Sequence, residues 1–104
     1  MAQSKNSGLG INELIGDKRE DIIRLAEKYG ATNIRVFGSV ARGEATLESD
    51  VDFLVTVKER VSVFELVGLW LDLQDLLGHE VSLVSDETPD ARFMKRVLQD
   101  AITL

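Results

Sequence analysis

The residues of this chain best suited to chemistry are Gly38 and Ser39 and, after ten intervening residues, Asp50 and Asp52. Gly38 and Ser39 follow a segment with strand character and are expected to open a short helical turn, whose free backbone N–H groups attract phosphate. Glycine lets the backbone approach a ligand closely, and the serine hydroxyl can cap the turn or donate to a phosphate oxygen. This pair is therefore a candidate phosphate-binding turn.

Asp50 and Asp52 lie two positions apart where a second apolar segment begins. Because side chains alternate along a strand, both carboxylates are expected on one face. Two close like charges raise each other's pKa unless a cation lies between them. Carboxylate oxygens beside bound phosphates suit Mg²⁺-assisted phosphoryl or nucleotidyl transfer. The residues alone leave open a simpler interpretation, an ordinary turn followed by a solvated strand end.

Composition limits the alternatives. The 104 residues are 44% hydrophobic and 29% charged, which is typical of one globular domain, and we expect a flexible tail over residues 1–9 and the domain over 10–104. Cysteine is absent and there is one histidine, so any metal must be held mainly by oxygen. The net charge of −6 disfavours direct nucleic-acid binding and allows a basic partner protein or an anionic ligand carried by a metal.

The chain shows no membrane signal. No apolar run approaches the roughly 20 residues that span a bilayer. The first residues are polar and lack the apolar region of a secretory signal. We therefore expect a cytoplasmic protein without a membrane partner.

The elements that must position the candidate residues follow from hydrophobic periodicity and capping signals. In chain order we predict a helix between an N-cap at Asp17 and a stop at Gly30, a strand over 33–37, a short helical turn, a strand at Val51–Val57, a helix from the cap Ser62 to Leu77 with Gly78 as its stop, a strand over 80–84, and a helix over about 90–100 with Thr88 as N-cap and Pro89 at its first position.

The connections predict the sheet. The link between the first two strands is too short for a crossover helix, so they should be antiparallel, whereas the long helix between the second and third predicts a parallel, right-handed crossover. The expected architecture is a small α/β (α+β) domain with a mixed three-stranded sheet flanked by helices.

The string from Gly38-Ser39 to Asp50-x-Asp52, with Ala41-Arg42-Gly43 and Ser49 between them, resembles the signature of the polymerase-β-like nucleotidyltransferase superfamily, in particular its minimal nucleotidyltransferase (MNT) branch. The similarity in layout covers about residues 18–100. The resemblance implies the polymerase-β-like fold, with Gly38, Ser39 and Arg42 binding the nucleotide phosphates. It also implies that Asp50 and Asp52 are the catalytic residues and the Mg²⁺ ligands. For Arg42, an ordinary solvated helix charge is an equally good interpretation.

The same resemblance implies a partner. MNT proteins are commonly encoded beside a small helical HEPN protein as a toxin–antitoxin pair. The family implies an antitoxin that transfers AMP from ATP to a tyrosine of the HEPN-type RNase toxin, within a hetero-oligomer.

One position departs from the superfamily pattern. A third carboxylate usually lies on the third strand, where this chain has Ser82. Glu80 is on the same strand face, but its side chain would have to reach about 7 Å further along the strand. An MNT-fold antitoxin that neutralises its toxin by binding alone therefore stays open. A small-molecule nucleotidyltransferase, for example for an aminoglycoside, is less favoured, because such enzymes usually carry a further helical domain.

The helix over 62–77 is apolar over far more than the roughly 100° that one core-facing stripe requires. We expect another chain, either the toxin or a second copy, to cover the excess. Trp70 is the candidate anchor of that interface.

Overall fold

The computed structural model describes residues 8–104, so the predicted tail lies mostly outside the described residues. Leu9, the last residue of the predicted tail, pairs with Ala45 through two backbone hydrogen bonds of 2.9 and 3.0 Å. The elements are α1 (Ile11–Leu14), a 3₁₀ turn (Gly16–Lys18), α2 (Arg19–Lys28), β1 (Ala31–Phe37), α3 (Gly38–Arg42), β2 (Val51–Val57), α4 (Val63–Leu77), β3 (Val81–Ser85), α5 (Ala91–Asp100) and β4 (Ile102–Thr103).

The sheet is mixed, as expected, with strand order β3-β2-β1-β4. The antiparallel pairing of β1 with β2 and the parallel pairing of β2 with β3 confirm the predicted strand directions. The predicted number of three strands is wrong, because β4 pairs antiparallel with β1 at Val36–Ile102. A strand of two residues is too short to show an alternating pattern, so the sequence carried no signal for it.

The N-cap was predicted correctly at one helix and wrongly at two. The Ser62 hydroxyl accepts the Glu65 N–H at 3.3 Å, and α4 ends at Gly78 in the left-handed conformation, with φ of +68°. Asp17 does not cap α2, because a 3₁₀ turn occupies its position and α2 follows Lys18. At α5 the cap is Asp90, which accepts two backbone N–H groups at 3.1 Å, rather than Thr88.

Apolar side chains pack against both faces of the sheet. On one face, alternate residues of β2 join α2 and α4 in the larger core, which includes Val51, Phe53, Val55, Ile22, Leu69 and Leu73. On the other face, Phe37 and Leu54 pack against Val97 of α5 in a smaller core. Because side chains alternate, Asp52 shares the α5 face with Leu54.

The longest helix, α4, has 15 residues. Over residues 8–104, no helix combines the length and the apolar character that a bilayer span requires.

Candidate active site

The junction between β1 and α3 brings the first two candidate residues to the end of the sheet. The last residue of β1 is Phe37, and α3 begins directly at Gly38, which has a φ of +74°. The Asp52 carboxylate packs so closely on Gly38 that a Cβ at this position would collide with it. Residue 38 must therefore be glycine, because its φ is positive and because the Asp52 carboxylate leaves no room for a Cβ. Ser39 follows in the first turn of α3 and is partly buried.

Asp52 lies in the second position of β2, paired with Phe37 of β1 and with Ser82 of β3. It is partly buried. Burial and, next, the charge of Asp50 raise the pKa of its carboxyl, while Arg42 acts in the opposite direction. A carboxylate in this environment is destabilised by repulsion that a bound cation would relieve.

Asp50 is exposed and directly precedes β2. A tight turn holds this approach to the strand, because the Ser49 hydroxyl accepts the Thr46 N–H at 2.9 Å and the Ser49 N–H donates to the Thr46 carbonyl at 3.1 Å. Val51 then donates its N–H to the Glu80 carbonyl at 2.9 Å. The turn and the strand pairing together fix Asp50 and Asp52 at one end of the sheet.

Arg42 is held by two carboxylates. Its Nε donates to Glu44 at 2.9 Å and its Nη1 donates to Asp100 of α5 at 2.6 Å. These two hydrogen bonds raise the pKa of the Arg42 guanidinium. Arg42 therefore ties α3 to the end of α5, and its contact with a phosphate, through the N–H groups that these two carboxylates leave free, stays a prediction.

The strand register defines the surroundings of Ser82, the position at which the resemblance predicts a third acid. Ser82 pairs directly with Asp52 across the parallel β2–β3 ladder, so both side chains are on one face. Glu80 precedes β3 and is exposed. Within residues 8–104, no group of three or more Asp, Glu, His or Cys side chains is arranged to hold a metal.

Two carboxylates nevertheless fit Mg²⁺ in a site that also receives a nucleotide. Mg²⁺ is commonly held by one or two carboxylates together with substrate phosphates and water, rather than by a complete protein cage. Asp50 and Asp52 supply hard oxygen donors at one strand end, and the burial and neighbouring negative charge that raise the pKa of Asp52 are costs that a bound cation would offset. The two residues are therefore suited to a nucleotide-bound divalent cation.

The sequence did not predict that α5 contributes residues to the candidate site. A cavity of about 260 Å³ opens between the start of α3 and one side of α5, and its lining includes Phe37, Gly38 and Arg42 on one side and Phe93, Arg96 and Asp100 on the other. The rings of Phe37 and Phe93 meet edge to face, with their centres 6.5 Å apart. The basic residues of α5 were visible in the sequence, but nothing local shows that they face a turn more than fifty residues earlier.

Comparison with known proteins identifies a family to which the chain is similar. Residues 20–104 match the family model described as polymerase beta, nucleotidyltransferase. The protein adenylyltransferase MntA of Thermococcus cleftensis is 40% identical over 78 residues, which are 75% of this chain and 79% of that protein.

Solved structures show the same fold. A structure assigned as a minimal nucleotidyltransferase is 38% identical, covers 98% of this chain and 100% of its own, and superposes with a TM-score of 0.80. A structure of a tri-AMPylated Shewanella oneidensis HEPN toxin in complex with an MNT antitoxin has a TM-score of 0.64 at 19% identity, over 83% of this chain and 67% of the other. The likeness at 19% identity concerns the fold alone. The family match and the relative that is 40% identical show that this chain belongs to the polymerase beta nucleotidyltransferase family.

Proposed function

We propose that this protein is a Mg²⁺-dependent adenylyltransferase that acts as an antitoxin, transferring AMP from ATP to a tyrosine of a cognate HEPN-type RNase toxin. One observation carries the proposal: the Asp52 carboxylate packs on Gly38 at the β1–α3 junction, with Asp50 at the same strand end. The 40% identity to the protein adenylyltransferase MntA supports a protein acceptor.

The proposed reaction forms one bond and breaks another. The tyrosine oxygen attacks the α-phosphorus of ATP, the bond to the bridging oxygen breaks, pyrophosphate leaves and the hydroxyl proton passes to water. Bound Mg²⁺ would neutralise phosphate charge. Gly38 and Ser39 would contact the phosphates, and Asp50 and Asp52 would bind the cation and so orient the nucleotide. Positioning and electrostatics supply most of phosphoryl-transfer catalysis, so two carboxylates can support a slow enzyme.

The second candidate function is neutralisation of the toxin by binding alone. The observation that favours it is Ser82, which pairs with Asp52 at the position of the superfamily's third acid. Without a carboxylate there, deprotonation of the acceptor hydroxyl has no dedicated base on β3.

Exposed apolar side chains support a complex with the toxin. On α4, Val63 and Phe64 are 73% and 88% exposed, and Val67 and Leu71 are also exposed. A groove between α4 and β3 reaches Ser82, so a protein bound to this surface would lie next to the candidate site. Trp70 is partly buried and donates its indole N–H to the Val81 carbonyl at 2.6 Å, which gives it a structural role within the chain besides any contact with a partner.

The structural likeness to the MNT antitoxin of a HEPN toxin complex supports the same class of partner. The chain's charge of −6 favours a protein partner over direct nucleic-acid binding. Because the reaction consumes ATP, we propose that it takes place in the cytoplasm.

The test is to incubate the full chain with Mg²⁺, ATP and the co-encoded HEPN protein and to weigh that protein by intact mass spectrometry. We expect a mass increase of one AMP per modified tyrosine and none with Asp50→Asn. An unmodified toxin that is nevertheless inhibited in an RNase assay would support binding alone, and an unmodified, uninhibited toxin would refute both functions.

A further inference from the structure

We propose that Arg96 of α5 binds the polyphosphate of ATP beyond the α-phosphate, an inference that rests on the proposed nucleotidyltransferase function. Arg96 lines the same cavity as Gly38, on the α5 side. Its neighbours Arg92 and Lys95 on α5 do not line this cavity.

The two arginines of the cavity differ in their partners. Arg42 already donates to Glu44 and Asp100 at 2.9 and 2.6 Å. Within residues 8–104, the Arg96 guanidinium makes no ion pair. A phosphate that enters the cavity therefore meets Arg96 with all its side-chain N–H donors free of partners among the described residues, whereas Arg42 already has two of its N–H groups and its charge engaged by carboxylates.

The direction of the nucleotide follows from the two carboxylates. The α-phosphate must lie near Asp50 and Asp52, where the cation would be held. The Asp52 carboxylate lies on Gly38, and the cavity continues from Gly38 towards Arg96. The outer phosphates of ATP can therefore extend past Gly38 to the guanidinium of Arg96.

The local charge balance favours such a residue. Asp100 lines the cavity, and Glu44 is bound to Arg42. Asp52 lies against Gly38 with Asp50 at the same strand end. The single charge of Arg42 therefore offsets only part of the charge of these carboxylates. A metal–ATP complex is itself anionic and would be repelled without a further cation. Arginine is well suited to the task because its planar guanidinium donates two parallel hydrogen bonds to a phosphate.

The test measures nucleotide affinity by calorimetry in Mg²⁺ without any acceptor protein, using the full chain. Arg96→Gln removes the proposed contact, and Lys95→Gln is the matched control, since it removes one charge from the same helix outside the cavity. We expect Arg96→Gln to weaken ATP binding about tenfold, the loss of roughly one charged contact, and Lys95→Gln to leave it unchanged. Arg96→Lys should restore part of the affinity.

Inorganic tripolyphosphate separates phosphate recognition from recognition of the nucleoside. We expect it to compete with ATP on the wild-type protein and about tenfold less well on Arg96→Gln. Circular dichroism checks the fold of both variants, whose substituted side chains are exposed. Equal ATP affinities for Arg96→Gln and the wild-type protein, or equal losses for the two glutamine variants, would overturn the assignment of Arg96 and leave the proposed function intact. Failure of the wild-type protein to bind ATP would overturn both.

Discussion

Asp52 is placed where its charge costs stability. Its carboxyl is partly buried and faces Asp50, and both effects raise its pKa in the folded protein. A group whose folded pKa lies above its unfolded pKa destabilises the fold when ionised, so the cost is present at neutral pH and disappears as the pH falls below the unfolded value. A residue that costs stability in the metal-free protein is typical of a functional site.

We expect Asp52→Asn to abolish AMP transfer and to raise the melting temperature of the metal-free protein. The substitution removes the buried charge and its repulsion with Asp50, but also a metal ligand. Calorimetric melting and the intact-mass assay measure the two effects. Asp50→Asn is the control: it should also abolish transfer, with a smaller thermal effect because Asp50 is exposed. Transfer at the wild-type rate by either variant would refute the catalytic assignment.

We expect Ser82→Asp to retain or increase transfer. The register places residue 82 beside Asp52 on one face, where a third carboxylate could join the metal site. In the absence of metal the added charge should lower the melting temperature through repulsion with Asp52, and Mg²⁺ with ATP should reverse that loss. Reduced transfer at saturating Mg²⁺ by a folded Ser82→Asp protein would show that residue 82 lies outside the site.

At the level of single residues, the sequence was informative where the site is local. Gly38, Asp50 and Asp52 lie within the segment from β1 to β2, and their spacing together with the resemblance to the nucleotidyltransferase signature predicted that they form one site. The distant partner of Arg42 could not be predicted in the same way. Asp100 is 58 positions away, and only the packing of α5 on the sheet brings the two together. The same reason explains why Arg96 was missed.

Besides the larger core, the contact between the end of α2 and α4 includes Tyr29, which directly follows α2, and a glycine within α4. The Tyr29 hydroxyl donates to Asp72 at 2.5 Å, and this hydrogen bond raises the pKa of the hydroxyl. The tyrosine ring lies on Gly68, where a Cβ would come within 2.7 Å of the ring atom Cε1. Gly68 therefore permits the close approach of the two helices.

We expect Gly68→Ala to destabilise the protein, against the usual trend for a helix interior. Alanine should gain about 1 kcal/mol in helix propensity, but displacing the tyrosine ring should cost about 1–3 kcal/mol. Urea unfolding measures the difference in the free energy of unfolding. In a Tyr29→Ala background the same substitution should become stabilising, because the ring is gone. A stabilising Gly68→Ala in the otherwise unaltered protein would contradict this packing.

Helices and strands were predicted most accurately where their apolar residues are buried along the whole element. The strand Val51–Val57 was predicted with its observed bounds, because its apolar residues pack on both faces of the sheet. Helix ends were harder, since several residues near each end can cap. At α5 both Thr88 and Asp90 were chemically suitable, and the structure uses Asp90. Thr88 instead donates its hydroxyl to the Ser85 carbonyl at 2.7 Å.

The surface of the whole molecule combines a net negative charge with an apolar face on α4. The excess apolar arc predicted from the sequence is present, but its exposed members are Val63, Phe64, Val67 and Leu71. Such a face is unusual for a monomer and typical of an interface.

We expect the HEPN-type toxin to cover this face. Phe64→Ser should weaken the complex, measured as solution mass by light scattering of the mixture, without changing the fold, since Phe64 is 88% exposed. Leu98→Ser, a change on α5 at another exposed apolar residue, is the control and should leave the complex intact. A dimer of this chain alone that Phe64→Ser dissociates would identify a second copy as the occupant. A monomer that forms no complex with the toxin would leave the face without a partner.

The unequal size of the two cores has a consequence for local opening. Helix α5 packs through Val97 against Phe37 and Leu54 in the smaller core, whereas α4 belongs to the larger core. Local unfolding is easiest where few apolar contacts resist it. We expect amide hydrogens of α5 to exchange with solvent faster than those of α4, and Mg²⁺ with ATP to slow exchange in α5 selectively. Equal protection of the two helices would contradict this. A nucleotide could then enter while α5 is separated from the sheet. The residence time of the bound nucleotide would depend on how often this helix opens.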